Sequence, residues 1–215
     1  MGRCPGSRIP AHEAIPFLRA TRAHRLYAAC VLVLVPGLRR GELLGPRWQD
    51  VGFEVRQFTP VKQVQRVRGT GLVLKDLTAE PSQTVFPLPE FRARALEERR
   101  ERRGLERKAA DDHWSREPNQ DLLFSSEHGG VIDPSGFSRT FDRLVKRAGV
   151  RRTTVRLARH TCGILLAFLK VHPKVAQAIL RHSRISMAMD VCTHVAGDSE
   201  REAVTRCSRS CWKTR

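Results

Sequence analysis

Gly37-Leu38-Arg39-Arg40-Gly41-Glu42-Leu43-Leu44-Gly45, running on into Arg47-Trp48-Gln49-Asp50-Val51, is the stretch from which the rest of the chain is best read. Pro36-Gly37 ends the apolar helix that precedes it. A short helix then starts at about Gly41, turns Leu43 and Leu44 inward, and stops at Gly45-Pro46. Arg39 therefore lies just past one helix end and at the mouth of the next. The unpaired backbone N–H groups of a helix N-terminus favour an anion at such a place. Glu42 is positioned to brace an arginine or the first helical turn. Taken alone, the stretch would read as a glycine-bounded turn with surface arginines. Two later segments give it another meaning.

The second segment is Val155-Arg156-Leu157-Ala158-Arg159-His160-Thr161. Positions 156, 159 and 160 share one helical face, because residues three and four apart are neighbours on a helix. The third runs from Val171-His172-Pro173-Lys174-Val175 through Ile179-Leu180-Arg181-His182-Ser183 to Met189-Asp190-Val191-Cys192-Thr193-His194-Val195. In order, spacing and intervening hydrophobic pattern, the three segments resemble the motif boxes of the tyrosine recombinases of the phage-integrase family. The first is similar to G-L-R-x-G-E-L-L-G-L-x-W-x-D-V, the second to H-D-L-R-H-T, and the third to the box that ends in I-L-G-H-S-S-I-S-M-T-x-D-x-Y-x-H-V. The resemblance runs from about residue 11 to 197. It takes in Asp121-Leu122-Leu123-Phe124 and the helix around Phe137 to Gly149.

The resemblance implies the catalytic-domain fold of that family and its chemistry, strand cleavage and rejoining in double-stranded DNA. In the family, a tyrosine hydroxyl attacks the scissile phosphate and forms a 3′-phosphotyrosyl link. Two arginines hold the non-bridging oxygens and stabilise the charge of the transition state. Two histidines assist, and a hairpin lysine protonates the leaving oxygen. The covalent link conserves the bond energy, so no metal, nucleotide or other cofactor is implied. Carried over position by position, Arg39 matches the first arginine, Arg159 the second, and His182 the later histidine.

Four positions depart from the pattern. Cys192 stands where the nucleophilic tyrosine should be. Arg156 occupies the place of the earlier histidine in an ungapped alignment; a two-residue deletion before Ala158 would also account for the text. Thr78 takes the place of the hairpin lysine, and Lys75, three positions earlier, could substitute only in a different hairpin register. Arg181 replaces a glycine. The chain has one tyrosine, Tyr27, which lies within an early helix and reads as a partly buried aromatic. A thiolate with a lowered pKa is a competent nucleophile. The Cys192 sulfur, however, would sit roughly 3–4 Å nearer the backbone than a phenolic oxygen, and attack geometry tolerates misplacement of about 1 Å. Strand cleavage is therefore expected to be lost or impaired. The alternative expectation is a non-catalytic DNA-binding remnant or a modulator of an active recombinase.

Outward from these boxes, residues 11–35 read as two helices parted near Thr21 to His24. Val51 to Pro89 reads as two or three antiparallel strands. Residues 90–112 return to helix; their alternating Arg and Glu suggest a solvated face stitched by i,i+4 pairs. Leu122-Leu123-Phe124 reads as a short strand. Asp133-Pro134 opens a helix that ends at Gly149, and further helices are expected over 155–170, 173–181 and 185–191. The fold class is mainly α with a small antiparallel β-sheet. The expected organisation is an N-terminal leader over 1–10, a catalytic-type domain over 11–197 and a basic tail over 198–215. The helical core-binding domain that usually precedes the catalytic domain is expected to be absent, as in a truncated product of a mobile element.

The 215 residues suit one core. The net charge of +17, with 32 Arg against seven Lys, favours a polyanionic partner. Double-stranded DNA is the expected one, with other recombinase protomers upon it as the resemblance implies, and no small-molecule substrate is expected. No stretch has the length of apolar chain that crosses a bilayer, so no membrane partner is expected. The six cysteines form no paired framework, and a reduced cytoplasmic setting is expected. Cys192, His194, Cys207, Cys211 and His182 lack the repeated spacing of a zinc site. Cys30 and Cys162 lie in apolar runs and read as small buried hydrophobes.

Overall fold

A computed structural model describes residues 11–34, 38–77, 85–115 and 121–158, all within a compact unit spanning Met1–Cys162. The two early helices form as expected, α1 (Ala11–Thr21) and α2 (Tyr27–Leu34). α2 is apolar on every side, and all of its residues from Ala28 to Leu34 are buried. A helix without a polar face has to sit at the centre of a core, and α1 and α4 both pack on it. Cys30 lies on α2 and is fully enclosed; burial pushes its thiol up to about 12. It is an inert packing residue, as its apolar run implied.

α3 (Arg40–Leu44) follows and buries Glu42, Leu43 and Leu44. It lies on β3 (Lys62–Val67), which pairs antiparallel with β4 (Gly71–Asp76) in a two-stranded hairpin, Val64 opposite Leu74. The approach is close. A Cβ on Gly45 would stand 2.3 Å from the Lys62 carbonyl oxygen, and one on Gly41 2.8 Å from that of Val64. These two glycines let the helix backbone touch the strand backbone.

The sheet content exceeds the expected two or three strands. β1 (Val51–Gly52), β2 (Gln57–Phe58) and β5 (Phe86–Pro87) make a separate three-stranded sheet in the order β1-β2-β5. Two-residue strands carry no periodicity to read. This small sheet is held by packing instead, with the Phe58 and Phe86 rings stacked 6.1 Å apart.

Leu122-Leu123-Phe124 is not a strand. Residues Leu122 to Ser125 are fully buried, and only isolated bridges form at Arg47–Leu122 and Ser125–Val131. The segment's backbone groups find other partners. Leu123 N–H donates to the Pro46 carbonyl at 2.9 Å, Arg99 Nε donates to the Leu123 carbonyl at 3.2 Å, and Arg25 Nη2 donates to the Ser125 carbonyl at 3.0 Å.

α4 (Glu90–Ala110) also departs from the expected solvated face. Its Arg99 is 2% exposed and donates to both oxygens of Glu106 at 2.9 Å, seven residues on. Other charges reach off the helix: Glu98 pairs with Arg22, Glu106 with Arg25, and Arg103 with Asp121. The helix is tied to its neighbours by ion pairs as well as by its short apolar stripe.

α5 (Pro134–Arg147) matches its expected bounds. Asp133 caps it by accepting the Ser135 N–H at 2.7 Å, with Pro134 in the first turn. Phe137, Phe141, Leu144 and Val145 form its buried stripe, and Phe141 packs against Phe17 of α1 at 5.4 Å. Gly149 takes a positive φ of 66° just past the helix end. Among the described residues, no helix is long and apolar enough to cross a membrane.

Candidate functional site

The site is built around the start of α3. Arg39 is extended, with φ −67° and ψ 150°, and directly precedes the helix. Its backbone N–H donates to Glu42 Oε2 at 3.1 Å, and its Nη1 donates to Glu42 Oε1 at 2.6 Å. One carboxylate thus holds both the backbone and the guanidinium of the same arginine. Exposure decides what the pair can do: the Glu42 side chain is 3% exposed, the Arg39 side chain 48%. The carboxylate is locked in the core, and the guanidinium it aims is half-exposed. This is the bracing that the spacing of Arg39 and Glu42 suggested.

Three elements meet here, since α3, β3 and α5 pack pairwise against one another. Arg40 Nη1 donates to Ser138 Oγ on α5 at 2.9 Å. Arg66, on β3, forms an ion pair with Asp133, and its Nε donates to the same carboxylate oxygen at 3.1 Å. The Arg66 guanidinium holds the Asp133 carboxyl below the usual carboxylate range, and the Ser135 N–H adds to the effect. Arg66, Asp133 and Ser138 did not emerge from the sequence as site residues. The Asp-Pro helix start was visible, but nothing local joined it to a strand residue 67 positions earlier.

Of the residues that the resemblance singled out, Arg39 and Arg156 are described. Arg156 is exposed on a helical turn over 155–158, between the buried Val155 and Ala158. Thr154 starts that turn, its Oγ1 accepting the Leu157 N–H at 3.3 Å and its carbonyl the Ala158 N–H at 2.8 Å. Lys75 is exposed on β4, in register with Gln63. Thr78, Arg159, His182 and Cys192 lie outside the described residues, as do Arg181, Cys162 and the weighed zinc ligands His194, Cys207 and Cys211. Among the described residues, no group of His, Cys, Asp and Glu is placed to hold a metal ion. Tyr27 is half-buried beneath the Arg22 guanidinium, 4.6 Å from its ring centroid.

A helix-rich domain with a paired hairpin, and an arginine clamped at a helix mouth upon that hairpin, has known counterparts. The profile described as the phage integrase family matches residues 9–197. The chain belongs to that family. A "Tyrosine recombinase XerC-like" protein of Caldanaerobacter subterraneus subsp. tengcongensis is 29% identical over 193 residues, covering 86% of this chain and 49% of the relative. The chain therefore spans about half the length of that relative. Among solved structures, the Tn1549 transposon integrase in complex with transposon right-end DNA matches with a TM-score of 0.75 at 24% identity, over 96% of this chain and 67% of the other. The XerA recombinase matches with a TM-score of 0.69 at 20% identity, over 95% and 65%. At such identities the likeness is one of fold. The fold is that of tyrosine-recombinase catalytic domains, mainly helical with small antiparallel sheets.

Proposed function

We propose that this chain is a DNA-binding domain of the site-specific recombinase type, acting on the phosphate backbone of duplex DNA, in which strand cleavage is lost or severely impaired. The observation that carries the reading is the Arg39–Glu42 clamp: a buried carboxylate presents a half-exposed guanidinium at a helix mouth. That arrangement suits a phosphate oxygen, which a guanidinium meets with charge-assisted hydrogen bonds. The net charge of +17 supports a polyanionic partner, and the Tn1549 integrase, of like fold, is described in complex with DNA. Arg159 and His182 would complete the phosphate grip. Cys192, Thr78 and Arg156, at the positions of tyrosine, lysine and histidine, support loss of the cutting step. Further protomers on the same DNA, an origin in a mobile element and a cytoplasmic setting belong to the same proposal.

Two measurements test it. Duplex DNA should bind at low salt, and Arg39→Ala should weaken binding and reduce the slope of log K against log salt by about one. Absence of binding by a folded sample sinks the reading. A suicide substrate nicked beside the scissile phosphate should trap no covalent adduct. An adduct that disappears in Cys192→Ala would show that the thiol cuts.

A further inference from the structure

On the other flank of α5 lies a second basic cleft. Ser138, the partner of Arg40, borders the buried stripe of α5 on one side. Thr140, Arg143, Leu144 and Arg147 follow the i, i+3, i+4, i+7 spacing of a single helix face. That face lines a cavity of about 380 Å³ together with the turn that carries His24 and Arg25. Leu26 and Leu144, both 4% exposed, form an apolar floor, and Glu127 stands at the rim.

The charges around this cleft are unbalanced. His24 is acted on by Arg147, Arg25, Arg102 and Arg143, from α4, α5 and its own turn. The nearby carboxylates are mostly committed elsewhere: Glu106 to Arg25 and Arg99, and Glu98 to Arg22. Arg102 Nη1 donates to the Ala23 carbonyl at 2.8 Å, and Arg143 Nη2 to Thr140 Oγ1 at 3.0 Å. Among the described residues, no carboxylate pairs with Arg143 or Arg147. His24 Nδ1 accepts the Leu26 N–H at 3.1 Å, which leaves the neutral ring's hydrogen on Nε2 as a donor. Burial first, and then the four guanidiniums, hold the imidazole below its ordinary pKa. Around this apolar floor the cations outnumber the one lining carboxylate, Glu127, which pairs with neither Arg143 nor Arg147.

We propose that this cleft binds a small phosphorylated anion, of the kind of pyrophosphate or the phosphate chain of a nucleotide, held by Arg143, Arg147 and His24. It would act as a ligand, separate from the Arg39 side of the domain. The cavity is at the lower end of the range of small-ligand sites, about 300–1,000 Å³. A partly open cleft of that size takes a compact anion, whereas a duplex backbone needs a longer track.

The test is calorimetric titration of the full chain at low salt with pyrophosphate, with ATP and with adenosine. Pyrophosphate and ATP should bind and adenosine should not; tighter binding of ATP would mark a nucleotide as the source, and equal binding a free oligophosphate. The exposed pair Arg143→Gln/Arg147→Gln should weaken pyrophosphate about tenfold to a hundredfold, the weight of one or two charge-assisted hydrogen bonds. Arg94→Gln, which removes an exposed charge of α4 outside the cleft, should leave pyrophosphate binding unchanged. In side-chain NMR, saturating pyrophosphate should raise the titration midpoint of His24. The proposal is overturned if pyrophosphate does not bind, if the double variant binds it as the parent does, or if the His24 midpoint stays in place.

Discussion

The guanidinium of Arg39 owes its aim to Glu42, and this makes the carboxylate as important to the site as the arginine. Glu42 does not face solvent, so it has no direct hold on an incoming anion. Its hydrogen bonds to the Arg39 backbone and Nη1 set where the guanidinium points. Glu42→Gln keeps the shape but loses charge-assisted bonds, and should cost about 1.5–3 kcal/mol of stability. Duplex affinity, measured by fluorescence anisotropy, should fall nearly as far as in Arg39→Ala. If Glu42→Gln melts earlier yet binds DNA like the parent, the carboxylate is only a core residue. Both members of this pair were legible in the sequence, because they lie three positions apart across the start of a short helix bounded by Pro36-Gly37 before it and Gly45-Pro46 after it. Arg66 and Asp133 were not legible. Their ion pair joins a strand to a helix cap across 67 residues, and no local pattern encodes such a meeting.

At the scale of elements, the same glycine means opposite things in two helices. Gly45 ends α3 where the helix presses on β3, and any Cβ there would meet the Lys62 carbonyl carbon and oxygen at 2.5 and 2.3 Å. The atoms in the way are backbone, so the strand would have to move. Gly45→Ala should destabilise the domain by about 1–3 kcal/mol, as overpacked substitutions do, and should weaken duplex binding because the mouth of α3 moves with it. Gly104 lies on the exposed side of α4 with nothing within 4 Å of its missing Cβ. Gly104→Ala should therefore raise stability by about 0.8–1 kcal/mol, the difference in helix propensity. Urea denaturation of the two variants checks both signs, and a stabilising Gly45→Ala would refute the close packing of α3 on β3. The sequence announced most of these elements, since α1, α3 and α5 have apolar spacing, and α2 an unbroken apolar run, near Pro, Gly or Asp-Pro boundaries. Within the strand region expected over Val51 to Pro89, β1 and β2 escaped notice because each is two residues long. Leu122-Leu123-Phe124 was misread for a related reason: a short apolar run fits a strand as well as it fits a buried connection, and the arginines that satisfy its carbonyls lie far away in the chain.

Over the whole domain, charge is used inside as well as outside. Arg25 precedes α2, Arg99 and Glu106 belong to α4, and the carbonyls of Leu123 and Ser125 belong to the buried connection, so this one network joins three parts of the chain. The alternating Arg and Glu of α4 concealed it, because a buried arginine and a solvated one are spelled alike. Burial by itself would raise the pKa of Glu106, but its bonds to Arg25 and Arg99 outweigh burial and leave it below the usual range. A carboxylate depressed in the folded state contributes stability above its unfolded pKa, about 4.3 for Glu. That contribution is lost as pH falls through the depressed folded value. The Arg99 side chain is 1% exposed, so removing its counter-charge leaves a cation stranded in the core. Glu106→Gln should then cost about 3–5 kcal/mol near pH 7, the penalty for breaking a buried pair from one side. As pH falls below the unfolded value and through the depressed folded one, the parent protonates Glu106 as well, and the two proteins should converge. Urea midpoints measured from pH 7 down to pH 3 test this, with Glu98 and Asp133, also depressed by arginine partners, contributing alike to both proteins. Two stability curves that run parallel over the whole range would mean that Glu106 titrates alike in the folded and unfolded chain, and the network would then not be what joins the three parts.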